Sequence, residues 1–148
     1  MILSTLQHAP ITLVAILGLF TTTFGIPAAL RAAGFPQTVP TMLVLPDISH
    51  WLLALAIVIL APLLEELVFR KWLISAFRAL SLPFWGAAAL STAMWVASHL
   101  PTTIPAGLIY ALTGLILCGL LYKTGSLWPC IVAHAAYNAP AAVLLVYQ

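Results

Sequence analysis

Residues 51–80 read WLLALAIVILAPLLEELVFRKWLISAFRAL, and this stretch decides the fold class. From Leu52 to Phe69 the only charges are two adjacent acids, Glu65 and Glu66; Arg70, Lys71 and Arg78 then follow, interleaved with Trp72, Leu73, Ile74 and Phe77. Crossing the hydrocarbon core of a bilayer takes about 20 mostly apolar residues. The stretch therefore predicts a membrane-crossing helix whose basic, amphipathic end, running on to Leu80, lies among the headgroups. The two acids are the anomaly. A charge near the bilayer centre costs roughly 2.5–3.5 kcal/mol on insertion scales, and such groups mostly face a bundle interior and mark function.

The rest of the chain obeys the same ruler. Of its 148 residues 64% are hydrophobic and 5% charged, against about a quarter charged in a soluble domain, so it cannot cover a water-facing surface. Apolar segments fall at about 10–30, from 51 to beyond 70, and at about 84–100, 105–122 and 126–146. They predict an all-α polytopic transmembrane bundle of about five helices, one domain over 1–148, with the polar motifs confined to about 52–145. No Lys or Arg precedes the first run, which reads as a retained anchor. The Pro- and Thr-rich stretch over 32–50 reads as a loop or interfacial piece. Gly86 to Ala93 and the stripe Gly107, Ala111, Gly114 and Cys118 supply small residues for close helix packing. Cys118 and Cys130, without CxxC spacing, read as small apolar residues. A net charge of +2 from scattered groups gives no clustered basic face, so nucleic acid is not an expected partner. If the segments alternate, Arg70, Lys71, Arg78 and Lys123 share one side and Arg31 takes the other, which predicts that the four-cation side is cytoplasmic.

The chemistry-bearing residues occupy three segments. Glu66 and Arg70, four apart, share a helix face and predict an ion pair. Glu65, pointing about 100° away, is left to face a cavity as general base or metal ligand. The competing reading is a helix end whose carboxylates snorkel toward headgroups. Pro62 bears on the choice, because its missing N–H frees a carbonyl, assigned on α-helical spacing to Val58, and can kink the helix one turn before the acids. His99 closes the third segment four residues after Trp95; a lone histidine at a helix end is more often a structural or interfacial group than a ligand. His134 and Asn138 lie in H-A-A-Y-N, where i, i+4 spacing sets imidazole and amide side by side; alone, they could be an interhelical hydrogen-bond pair. Together, the groups gain by converging on one cavity. A carboxylate with two imidazoles can polarise a water directly or hold a divalent cation that does so, and an amide beside them can stabilise an oxyanion. Both routes end in hydrolysis. No HExxH, GxSxG or Ser/Lys arrangement offers another.

These blocks, E-E-L-V-F-R at Glu65 to Arg70, W-V-A-S-H at Trp95 to His99 and S-L-W-P-C-I-V-A-H-A-A-Y-N at Ser126 to Asn138, resemble the CAAX protease and bacteriocin-processing (Abi) family of intramembrane proteases. That family carries EExxxR, FxxxH and HxxxN/B motifs in separate transmembrane helices, in this order. The resemblance implies that Glu65 and His99 activate the attacking water, that His134 and Asn138 stabilise the oxyanion or complete a metal site, and that Glu66 and Arg70 support Glu65. A metal, zinc being one candidate, would take Glu65, His99, His134 and Asn138; the motifs also fit a metal-independent, glutamate-based enzyme. The expected substrate is a membrane-associated protein or peptide, and the expected setting is the lipid bilayer of a prokaryotic plasma membrane, with the site toward the cytoplasm. The chain departs from the pattern in having Trp95 where Phe is preferred, Lys71 after the Arg, and only about five segments. Two rivals predict different behaviour: a non-catalytic immunity or peptide-binding protein tolerates loss of Glu65, and a Glu/His-based ion transporter conducts ions dependent on His99 and His134.

Overall fold

The computed structural model describes residues 7–34 and 49–146, so most of the stretch expected as a loop or interfacial piece, 35–48, lies outside the described residues. Among those described there is no strand, and the fold is an all-α bundle. Helix α1 runs over 9–32, with a π-wound turn at Thr21–Gly25 between Ala9–Phe20 and Ile26–Ala32. Helix α2, His50–Ala79, contains two π-wound stretches, Ala56–Leu60 and Glu66–Leu73. Helices α3, Phe84–Ser98, α4, Ile104–Thr124, and α5, Leu127–Val146, complete the bundle.

Local chemistry sets the ends. Pro83 is extended and starts α3, because proline suits a helix start and not its interior. Thr103 caps α4 by accepting the Ala106 N–H at 3.3 Å, filling one of the donors a helix start leaves open. Gly125, at φ 62°, closes α4 in the left-handed conformation that glycine adopts without penalty, and α5 begins two residues later.

At about 1.5 Å per residue, the 30 residues of α2 and 21 of α4 are long and apolar enough to cross a bilayer, whereas α3, with 15 residues, is short. Burial is inverted relative to a water-soluble domain. Glu66, Arg70, Ser91, Thr92, Thr113 and His134 are buried, while Leu13, Val14, Leu52, Leu55, Ile59 and Leu60 face outward. An apolar exterior around a polar interior is what a lipid solvent favours.

Helix α4 joins two packed clusters. One brings Ala15 and Leu19 of α1 onto Leu117 and Leu120 of α4 and Cys130 and Ala133 of α5; the other brings Ile74, Ala87 and Ala88 of α2 and α3 onto Cys118. The small-residue stripe of α4 is what lets α3 approach. A β-carbon at Gly114 would sit 2.7 Å from Thr92 Cγ2 and 3.3 Å from Trp95 Cε3, inside van der Waals contact.

Candidate active site

Helix α2 supplies both glutamates where its winding is loosest. Glu66 begins the second π-wound stretch, a distortion frequent at functional sites. Glu66 and Arg70 are both buried, with Arg70 Nε 3.3 Å from Glu66 Oε2. The guanidinium also lies over the Trp95 ring, 4.8 Å from its centroid, within cation–π range. Two buried opposite charges and an aromatic face thus offset part of the cost of removing each charge from solvent.

Glu66 has a second partner: its Oε1 stands 2.8 Å from His134 Nδ1. An ionised carboxylate only accepts, so Nδ1 carries the proton and donates. His134 Nε2 then points toward Glu65, 3.9 Å from Oε2.

His99 reaches the same oxygen from α3, its Nε2 3.8 Å from Glu65 Oε2. Its Nδ1 is 2.8 Å from the Trp95 carbonyl, which cannot donate, so here too Nδ1–H is the donor and Nε2 is the atom turned toward Glu65. The Ser98 hydroxyl donates to the same carbonyl at 2.7 Å, fixing the end of α3. Trp95 itself donates from Nε1 to Glu65 Oε2 at 2.6 Å. Glu65 and His99 keep about a quarter of their side-chain surface exposed, 24% and 27%, whereas His134 keeps 3%. The two open groups face one another, and the closed one stands behind them.

Asn138, four residues beyond His134 on α5, reaches across to α2: its Nδ2 donates to the Ile57 carbonyl at 3.0 Å. The local winding explains why that carbonyl needs a donor. Ala61 N–H bonds back five residues to Ala56 O, and in that register the Ile57 carbonyl faces Pro62, which has no N–H. The Ile57 carbonyl is thus left without a helix donor, and Asn138 fills the gap.

Sequence reasoning passed over three features: the indole–carboxylate bond of Trp95, the Glu66–His134 bond, and Tyr110, whose ring lies 4.9 Å from His99 and 6.0 Å from Trp95. The i, i+4 spacing of Trp95 and His99 signals the first. Nothing local signals Tyr110, which the α3–α4 packing delivers.

The donor set bears on a metal. Anchored Nδ1–H groups with Nε2 turned inward are the usual arrangement of metal-ligating histidines, and a carboxylate with two imidazoles is a known catalytic zinc set. As placed, however, Glu65 Oε2 already accepts the indole N–H, Asn138 is engaged with Ile57, and no group of three or more His, Cys, Asp or Glu among the described residues is disposed to hold an ion.

No curated protein and no solved structure matches the chain. The model of one family, type II CAAX prenyl endopeptidase Rce1-like, matches residues 47–140, a span that contains Glu65, Glu66, Arg70, His99, His134 and Asn138. The chain therefore belongs to the Rce1-like family of type II CAAX prenyl endopeptidases, integral membrane peptidases of membrane-associated protein substrates.

Proposed function

We propose that the chain is an intramembrane endopeptidase that hydrolyses a peptide bond of a membrane-associated protein or peptide with a water activated by Glu65 and His99. One observation carries the reading: Glu65 Oε2 and His99 Nε2 are two acceptors 3.8 Å apart. That is too far for a direct hydrogen bond. A water fits between them, donating to both and turning its lone pair outward to a carbonyl carbon. On attack, the water's proton passes to Glu65 Oε2 as the C–O bond forms. The oxyanion is met by the second N–H of Asn138, on the side of the site where Glu66 holds the His134 ring from Nδ1. Glu65 then returns its proton to the leaving nitrogen as the C–N bond breaks, yielding an acid and an amine. Arg70 holds Glu66 in place. General acid–base assistance of this kind contributes roughly 10²–10⁴-fold.

A metal-assisted version, with Glu65, His99 and His134 as ligands and the ion acidifying the water, is favoured by the anchored Nδ1 atoms described above. We place the end of α2 that bears Arg70, Lys71 and Arg78 on the cytoplasmic side of a prokaryotic plasma membrane. The distribution of basic residues supports this side, and Glu65 lies five residues, about 8 Å along the helix, from Arg70.

The test is cleavage by purified protein in liposomes of a panel of C-terminal membrane peptides, each with and without a prenyl group. Glu65→Gln and His99→Ala are expected to lose roughly 10²–10⁴-fold in kcat while remaining folded. Chelator-sensitive cleavage restored by added zinc would replace the water-only step with the metal-assisted one. Peptide binding without cleavage, equal in wild type and Glu65→Gln, would overturn the peptidase reading.

A further inference from the structure

A second cavity, of about 600 Å³, opens at the other side of Arg70, where the end of α2 meets the start of α3 and the α4–α5 turn. Its polar lining is Arg70, Lys71, Ser75, Arg78 and Tyr122, with apolar side chains such as Phe84 completing it. Three of the chain's five Lys and Arg residues therefore line it, and neither Glu65 nor Glu66 does. Within it, Arg70 is buried, and among the described residues its Nη1 and Nη2 find no nitrogen or oxygen acceptor. Only the Nε side is matched by Glu66. Among the described residues the cavity thus carries an excess of positive charge.

Its depth is marked by aromatic residues. Trp72, Trp85 and Trp128 each neighbour a lining residue in sequence, and with Tyr122 they are all exposed, at 62%, 50%, 56% and 53%. Exposed Trp and Tyr collect at the level of lipid headgroups. A basic, partly apolar pocket between helices at that level matches the two ends of an amphiphile: cations and hydroxyls for a phosphate, an apolar wall for the start of its chains.

We propose that this cavity is a binding site for the phosphate-bearing headgroup of an anionic phospholipid, separate from the Glu65–His99 pair. It does not depend on the peptidase reading. Each basic residue beside an anionic headgroup is worth about a factor of five, so loss of Lys71 and Arg78 together is expected to weaken binding roughly 30-fold.

The experiment puts the full chain into nanodiscs of mixed phosphatidylcholine and phosphatidylglycerol. The lipid retained on the intact, folded protein is then read by native mass spectrometry. The wild type is expected to retain phosphatidylglycerol selectively. Lys71→Gln with Arg78→Gln, both at exposed side chains, should lose that selectivity, and the charge-matched control Arg31→Gln with Lys123→Gln should keep it. Equal retention in all three, or equal loss in both double variants, overturns the proposal. If inorganic phosphate in detergent stabilises wild type but not Lys71→Gln/Arg78→Gln, and no lipid selectivity is seen, the site takes free phosphate and the lipid assignment fails. Displacement of bound lipid by a peptide with a free C-terminal carboxylate, but not by its amide, would instead make it a substrate subsite and overturn the proposal.

Discussion

Trp95 shows how much a single side chain does here. It is buried, donates to Glu65, lies beneath the Arg70 guanidinium, and offers its carbonyl to His99. It is a positioning residue, acting through the groups it holds. Trp95→Phe keeps an aromatic face for Arg70 but removes the N–H together with part of the ring, leaving a void at a fully buried position. A hydrogen bond to a charged group is worth about 1.5–3 kcal/mol, so kcat is expected to fall about 10- to 100-fold with little change in KM, alongside the lower melting temperature that the void brings. The indole N–H resonance of Trp95 should also move in Glu65→Gln, which a purely structural role does not require. Glu66 predicts a different signature. Glu66→Ala leaves the Arg70 charge buried and unmatched, at a cost of about 3–5 kcal/mol, seen as a large loss of thermal stability. Glu66→Leu combined with Arg70→Met should recover that stability but not cleavage, because His134 Nδ1 has lost its acceptor. Recovery of cleavage in that pair would show that the ion pair is structural alone.

At the level of elements, the winding of α2 and the placement of Asn138 are one fact. The π-wound turn and Pro62 together leave the Ile57 carbonyl without a helix donor, and α5 supplies one from a side chain. Leaving that carbonyl unpaired costs about 1–3 kcal/mol, the expected destabilisation of Asn138→Ala. Pro62→Ala restores an N–H opposite Ile57, so in that background Asn138→Ala should destabilise less. Strict additivity of the two substitutions in a double-mutant cycle would refute the coupling. The four Thr, Gly, Trp and Cys positions where α3 meets α4 follow the same logic of close approach. Gly114 admits Thr92 and Trp95, and Thr92 Oγ1 lies 3.7 Å from Cys118 Sγ.

For the whole molecule, the distribution of charge sets orientation. With helices running back and forth, Arg70, Lys71, Arg78 and Lys123 gather at one end and Arg31 at the other, so a reporter fused after Lys123 is expected to report a cytoplasmic location. An external reading would reverse the orientation and move the cationic cavity to the outer leaflet. The bundle's inverted burial makes the polar interior dependent on every helix: Glu65 and Glu66 from α2, Trp95 and His99 from α3, Tyr110 from α4, and His134 from α5 all lie within one group of contacts.

The helices themselves were legible in the amino-acid sequence, because apolar length and Pro, Thr and Gly punctuation act locally. The ends of α3, α4 and α5 fall within a few residues of where those signals put them. The polar residues were legible too, since a carboxylate or imidazole in an apolar run is conspicuous wherever it points, and i, i+4 spacing alone pairs Glu66 with Arg70. What the sequence did not contain was the set of partners across helices. Which carbonyl Pro62 leaves open depends on whether the backbone winds as α or π, and that is decided by packing. His134 meeting Glu66, Trp95 meeting Glu65, and Asn138 turning to Ile57 join residues 30 to 81 positions apart. Such contacts follow from how the helices are rotated and offset against one another, a collective result of close packing that no local pattern encodes.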